Sequence, residues 1–524
     1  METSETVHDK NAQRNHLREI FGVFFGTPGR SAATSAAALF LVVVGYVILL
    51  PSGLFDDREF VPTPWEEWNI PGDPPTERPL ITKWFGQSPI WQEAERLSAM
   101  PGVEEAVIWM PVSEERLSEN DKLSEEDFSK AMALLQARAE AGVEFAKVAP
   151  HYSLGSMMEP SVGSYFRASN AVQAISRSLD ILTRMALIGE HTGREAQEWL
   201  EHYGEFAASM MPLGESGFIS NVVVHHAIAA MFFECVLEWI PSQGDHDSDV
   251  VASLRRHLSA LERSSIDGIA RAAYGEAQVG GRSFDERAGP GKAWAAPRET
   301  ARELAIGFGF LMELPAWLEW LESPANWWAV ARVQRNKTKA LLEKRCREQV
   351  EWLQLPPSER MASAGLEVPD FHEVLGPFSW REFLDPRPNA IGERVLAGYA
   401  PEITQRNGRR GLATGTAATM VDIALAIAQW QAAGGGPGLP ATLDELVPEF
   451  LDGIPIDPFS GRPFGYDAVR GVLWSVGMDG VDTGGKRPEE HGALTSELLE
   501  GRSGTLDLWH VFQIEPDGGA EETE

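Results

Sequence analysis

Apolar positions recur along this chain with different rhythms, and each rhythm predicts a different element. Across 31–55 no charged residue interrupts a run centred on Ala36-Ala-Ala-Leu-Phe-Leu-Val-Val-Val-Gly-Tyr-Val-Ile-Leu-Leu50. About 20 apolar residues cross a hydrocarbon core as a helix, so a transmembrane helix is expected at 31–55. A cleaved signal peptide fits less well, because Pro51-Ser-Gly-Leu-Phe follows Leu50 where a small-x-small site would stand.

From residue 114 the spacing becomes that of amphipathic helices. Val172, Ile175, Leu179, Leu182 and Ala186 mark one, and Ala196, Trp199, Leu200, Tyr203, Phe206 and Met210 a second. A turn at 189–193 would join them as an αα-hairpin. The stretch 218–240 is apolar nearly all round but carries His225, His226, Glu234 and Glu238. Charges are costly at membrane depth, so a buried core helix is expected there rather than a second span. Further helices fit 251–273, 298–312 and 324–353, the last with Ser323 as N-cap and Pro324 at its first position. A Gly- and Pro-marked loop is expected at 280–297. The segment 61–110, rich in Pro and Trp, reads as an extended stalk packed against the body. Pro356-Pro357, Pro369, Pro377, Pro386 and Pro388 mark 354–410 as a linker.

Near the C-terminus the rhythm shortens. Met420, Ile423, Ile427 and Trp430 have helical spacing. Thr442 followed by Glu445 forms a capping box, which predicts a short helix from Leu443 to about Gly453. Pro455, Pro458 and Pro463 cannot donate to a ladder and shape a loop. The runs 464–466 and 472–476 flank a turn at 467–471 and read as a hairpin. One helix lying across a small antiparallel sheet follows.

This stretch resembles the globular head of the major pseudopilin of type II secretion systems. The matching residues are Pro440 with Leu443 and Leu446, Asp457-Pro458-Phe459 with Gly461 and Pro463, Tyr466, Ser475-Val476-Gly477 with Asp479-Gly480, and Gly484-Gly485. The resemblance implies a calcium site in the loop after Gly477, with its loop carboxylate at Asp479 and its late carboxylate at Asp507. Asp482 is a further oxygen donor nearby. In that family the head rides directly on a methylated N-terminal helix; here it lies at the opposite end of the chain from the apolar run. The layout of anchor, helical ectodomain and pseudopilin-like end also resembles a group of bacterial membrane-anchored proteins without assigned activity.

Charge sets orientation and partners. Lys10, Arg14, Arg18 and Arg30 precede the apolar run, and Asp56 and Asp57 follow it. The positive-inside rule therefore puts the N-terminus in the cytoplasm and the body outside, on the inner membrane. A net charge of −32 argues against nucleic acid as a partner. Against that background Arg332, Arg335, Lys337, Lys339, Lys344, Arg345 and Arg347 stand out. They read as the wet face of a helix whose apolar face holds Val330, Val333, Leu341 and Leu342, or as a contact for anionic lipid headgroups or an acidic partner. Two cysteines, Cys235 and Cys346, leave room for one bridge or two buried thiols.

Other motifs are incomplete. Gly480-x-x-x-x-Gly485-Lys486 continues with Arg487-Pro488, without the Ser or Thr that would hold magnesium. Asp245-x-Asp247-x-Asp249 imitates an EF-hand opening, but Val250 and Arg256 occupy the positions that need Gly and Glu. His225 and Glu234, or His191 and Glu195, lack His-Glu-x-x-His spacing, and Gly214-Glu-Ser216-Gly217 lacks that of a nucleophile elbow.

The sequence thus predicts a mainly α protein. Its parts are a cytoplasmic segment 1–30, a transmembrane helix 31–55, a stalk 56–113, a helical ectodomain 114–353, a linker 354–410, a pseudopilin-like α+β module 411–515 and an acidic tail 516–524. A non-enzymatic scaffold with a protein partner is expected, with calcium as its candidate ion and no catalytic residue assigned. The alternative is an envelope hydrolase with its cleft among the helices, which would show paired, pKa-shifted acids in a concave pocket.

Overall fold

The computed structural model describes residues 60–71, 79, 81–108, 110, 123–152, 162–188, 193–210, 219–242, 248–287, 334–356, 359, 389–435, 438–477, 480–482, 484–485 and 509–511. The expected span at 31–55, the expected helix at 298–312 and the acidic tail lie outside them.

Ten helices are described. They are α1 (Ile81–Gln87), α2 (Pro89–Ser98), α3 (Val103–Ile108), α4 (Glu125–Ala146), α5 (Val162–Ile188), α6 (Gly193–Ser209), α7 (Ile219–Ser242), α8 (Ser248–Arg287), α9 (Arg335–Gln354) and α10 (Ala390–Ala432). Three short strands follow, β1 (Gly465–Asp467), β2 (Val472–Trp474) and β3 (Trp509–Val511), paired antiparallel in the order β1-β2-β3. The protein is therefore mainly α with a small antiparallel sheet.

The hairpin helices α5 and α6 form where their apolar positions predict and pack against each other. Helix α7 is a core helix, with Phe232, Phe233, Val236 and Trp239 all fully buried. Among the described residues one helix is long and apolar enough to cross a membrane, 410–432 within α10, and 89% of its apolar window is buried inside the fold.

Four expectations change. Of the described residues in the expected stalk, 60–71 runs as a strap with one 3₁₀ turn at Trp65–Trp68, while 81–108 folds into α1–α3 and joins the helical body against α4. Ser88 caps α2 by accepting from Trp91 N at 3.3 Å, with Pro89 at the first position, and Trp84, Phe85 and Trp91 cluster on Phe145. Aromatic burial thus turns an apparent stalk into core. Next, α8 continues to Arg287 through Gly280 and Gly281, into the stretch expected as a loop. Third, α10 starts at Ala390, inside the expected linker, and continues through Pro401 without ending. Last, the helix predicted after Thr442 is one 3₁₀ turn, Leu443–Leu446. Pro448 forces Val447 into extended geometry (φ −100°, ψ 136°) and stops it. Glu445 accepts from Ala441 N at 2.9 Å, but the Thr442 side chain caps nothing.

The strap is bound firmly to the body. Thr63 donates its N–H to Glu343 Oε2 at 3.1 Å, and its hydroxyl donates to the same carboxylate. Trp65 and Trp68 meet Tyr274 of α8 edge-on, with centroids 4.8 and 5.2 Å apart. Gln354 Nε2 donates to Asn69 O at 2.7 Å, and Arg271 to Pro71 O at 3.2 Å.

Helices α9 and α10 run side by side in the same direction. At their starts the Asn389 carbonyl oxygen accepts from Gln334 N (3.0 Å) and from the Thr338 hydroxyl (2.9 Å). Further along, Gly408 lies so close to Trp352 that an added Cβ would fall 2.9 Å from its ring. Beyond that point α10 continues alone, between α7 and α8, to the C-terminal module.

Candidate functional site

Asp457, Phe459, Gly461, Tyr466, Ser475 and Gly477, all part of the pseudopilin resemblance, lie together in one small structure. Asp457 is 1% exposed and its carboxylate gathers three donors: Phe459 N at 3.0 Å, the Ser475 hydroxyl at 2.9 Å and Val476 N at 3.2 Å. Its backbone closes the loop as well, donating to Arg462 O and accepting from Gly461 N, each at 2.8 Å. Gly461, Gly471, Gly477 and Gly480 adopt left-handed φ of 64–68°, a region open to Gly at no steric cost. The Tyr466 hydroxyl donates to Pro440 O at 2.8 Å and pins β1 to the segment before the 3₁₀ turn. Burial, with Glu445 and Asp467 nearby, pushes the Tyr466 phenol far above its ordinary range and keeps it protonated. Leu443, Leu446, Leu451, Phe459, Phe464 and Leu473 form the module's interior and join the same core as α10.

A polar clamp joins the module to the body. Arg255 of α8 reaches Asp422 of α10 through two N–H donors, at 2.6 and 3.0 Å, and also donates to Phe450 O.

Asp482, the one expected calcium ligand among the described residues, shapes its loop. Its Oδ1 accepts from Trp474 Nε1 at 3.0 Å and from Gly484 N at 2.8 Å. With Oδ1 taking two N–H bonds, a cation would have to engage the other carboxylate oxygen, Oδ2. Asp479 and Asp507, the residues that would define the site, lie outside the described residues, as does Lys486 of the phosphate-loop-like run. Among the described residues no group of three His, Cys, Asp or Glu side chains could hold a metal.

Sequence reasoning missed a dense polar cluster in the helical body. Arg184 of α5 pairs with Asp180 one turn earlier (2.8 Å) and with Glu234 (3.1 Å) and Glu238 of α7. The Cys235 thiol donates to Asp180 Oδ1 at 3.2 Å. Burial opposes the charge on Arg184, but the carboxyl groups of Asp180 and Glu238 beside it outweigh burial and raise its pKa, so the guanidinium stays protonated. Burial pushes the Glu238 carboxyl up and the Cys235 thiol far up, so the thiol is inert. The signal was present in Asp180 and Arg184 at i, i+4 opposite Glu234 and Glu238 at i, i+4. The cluster's evident work is to lock α5 to α7. Cys235 and Cys346 are both buried and neither is in a disulfide, which leaves the thiol reading and removes the bridge.

The remaining sequence candidates separate. His225 and His226 are buried core residues on α7, and burial lowers the His225 pKa to about 4, so it is neutral. Asp249 stands in the first turn of α8, whereas Asp245, Asp247, His191 and Ser216 lie outside the described residues. A cleft of about 470 Å³ opens between α1, α2, α4 and α5, lined by Phe85, Trp91, Glu95, Ser98, Arg138 and Asn170 among others. Glu95 is the one acidic residue among its described lining residues. The pKa-shifted acid of the Arg184 cluster, Glu238, is not among them.

Comparisons of this chain with protein families, with curated proteins and with solved structures found no match.

Proposed function

We propose that this protein is a membrane-anchored, extracytoplasmic scaffold that presents a pseudopilin-like module to a protein partner of the secretion or envelope machinery. The observation that carries the reading is the mounting of that module. Helix α10 starts beside the strap-bearing helix α9 and ends at the module, and 43 residues at 1.5 Å each make it roughly 65 Å long. The strap 60–71 begins five residues after the apolar run at 31–55. A module at the far end of such a mast is held away from the surface where the chain would be anchored.

Two features favour presentation over chemistry. The module's buried carboxylate, Asp457, is fully engaged in holding loop to hairpin. Ile456, Val469 and Val481 on its loops are large apolar side chains exposed by 53, 91 and 56%, open to contact by a partner. The hydrolase alternative needs paired, shifted acids in a pocket, and the cleft at Trp91 has one acid, Glu95, among its described lining residues.

The reading is tested by fusing a reporter active only outside the cytoplasm to the C-terminus and washing membranes with carbonate. Reporter activity with retention in the membrane is expected. An inactive reporter, or release by carbonate, sinks it. Calcium belongs to this proposal through Asp479, Asp482 and Asp507. Binding to the native state must raise the thermal midpoint of the full chain relative to chelator, and Asp479→Ala must remove that rise.

A further inference from the structure

The strap and α9 are joined in register. Phe60 lies under the Lys339 ammonium, 5.8 Å from its ring centroid, Thr63 holds Glu343, and Asn69 holds Gln354. Advancing along the strap therefore advances along α9 in the same direction. The charges of α9 are not spread evenly along that direction. Over 335–347 there are six Lys or Arg residues and a single acid, Glu343, which the strap itself occupies. After Arg347 the charged residues of the helix are Glu348 and Glu351. The start of the strap is thus fixed at the basic half of the helix.

We infer that the basic half of α9 is a docking surface for the anionic phospholipid headgroups of the leaflet from which the chain emerges. This rests on the membrane-anchor reading above. If 31–55 spans the bilayer, Asp56-Asp-Arg-Glu59 alone separates it from Phe60. Five Cα steps reach at most about 18 Å. The start of the strap is then held within reach of the headgroups, and the basic half of α9 with it.

Lys339 is buried against the strap, which corrects its expected place on the wet face. Arg335, Lys337, Arg345 and Arg347 are half-exposed and Lys344 exposed, with Glu348 3.6 Å from Lys344. For a chain of net charge −32 this placement matters. An acidic face turned to an anionic bilayer is repelled, whereas each Lys or Arg close to the surface strengthens attraction roughly fivefold. The strap turns toward the membrane a helix half of the sign that binds it.

The test uses the full chain reconstituted in vesicles of phosphatidylcholine, with or without phosphatidylglycerol. Single cysteines at Ala340 and at Glu351, both exposed, carry a fluorophore; the native cysteines are buried and shielded from it. The two sites are about 16 Å apart along the helix. A quencher attached to lipid headgroups reports proximity. With phosphatidylglycerol, quenching at A340C at least twice that at E351C is expected. It should fall to the E351C level in phosphatidylcholine alone and in K344E/R347E at an unchanged thermal midpoint. Equal quenching at both sites, or quenching indifferent to lipid charge, overturns the docking surface while leaving the anchor intact. A chain that fails to float with vesicles of either composition overturns the anchor reading, and the docking surface falls with it.

Discussion

The Asp457 carboxylate serves three donors from two stretches of chain, one in its own loop at Phe459 and the others at the end of β2. Removing the acceptor leaves buried N–H and O–H groups without partners, each at a cost of about 1–3 kcal/mol. Asp457→Ala is expected to destabilise the module by about 3 kcal/mol. Asp457→Asn, which keeps one acceptor oxygen, should cost visibly less. Amide hydrogen exchange over 465–474 reads this directly, and equal protection in both variants and the parent would show that the glycine turns suffice without the carboxylate. A second residue sets a pH limit. His225 is buried and neutral with a pKa of about 4, against about 6.5 for an unfolded histidine. Because the folded value is the lower, the unfolded chain binds more protons between the two. Stability is therefore full above about 6.5 and is lost as pH falls toward 4. From about pH 7 to about pH 4.5 this one group should remove about 2 kcal/mol. Urea midpoints at the two pH values should separate less in His225→Gln than in the parent; an identical separation would place the acid sensitivity elsewhere.

At the scale of elements, close packing limits what helix propensity can do. Gly142 lies inside α4, where alanine would ordinarily stabilise the helix by about 1 kcal/mol. A Cβ there would stand 2.5 Å from the Ile175 side chain of α5. Overpacking costs about 1–3 kcal/mol, so Gly142→Ala is expected to be net destabilising by about 1 kcal/mol. In an Ile175→Ala background the same change should become neutral or favourable, and chemical denaturation of the four proteins of that cycle measures the coupling. The elements themselves were unevenly legible. Helices α5, α6 and α7 show in the sequence because Leu, Ile, Phe and Trp recur on one face or all round. The register of α10 does not. Its central turns are made of Ala, Gly and Thr packed by neighbours on several sides, so they carry little amphipathic contrast, and Pro401 suggests a break that the helix absorbs. Helix α2 has the same Ser-Pro start as the signal read at Ser323-Pro324, but its surrounding prolines and tryptophans suggested a stalk. In the module the hairpin and the Pro-shaped loop were legible from turn chemistry. The role of Asp457 was not, since a buried acceptor announces itself only through partners eighteen and nineteen residues away. The Arg184 cluster was half visible, each i, i+4 pair readable alone and their meeting across α5 and α7 set by tertiary packing.

For the whole molecule, the decisive feature is that α10 belongs to the body and the module at once. Met420, Val421, Ile423, Ala424, Leu425, Ala426, Ile427 and Ala428 are each 5% exposed or less, which one packed face alone cannot achieve. Their partners are α7 and α8 on the body side and the 3₁₀ turn of the module. Arg255 adds a polar bond to both Asp422 and Phe450 O. A fragment of 410–524 keeps the motif residues and the sheet but strips the helix of α7, α8 and Arg255. The apolar side so exposed has no substitute among the described residues of the fragment, and a three-stranded sheet of three-residue strands is too small to supply one. The fragment is therefore expected to associate or bind hydrophobic dye, and to melt without a cooperative transition by circular dichroism. The full chain should melt cooperatively over the same range. A monomeric fragment with a sharp transition would mean that the module is autonomous. The contacts of α10 with the body would then serve only to aim it, and the mast would be a hinge-bearing tether rather than a rigid mount.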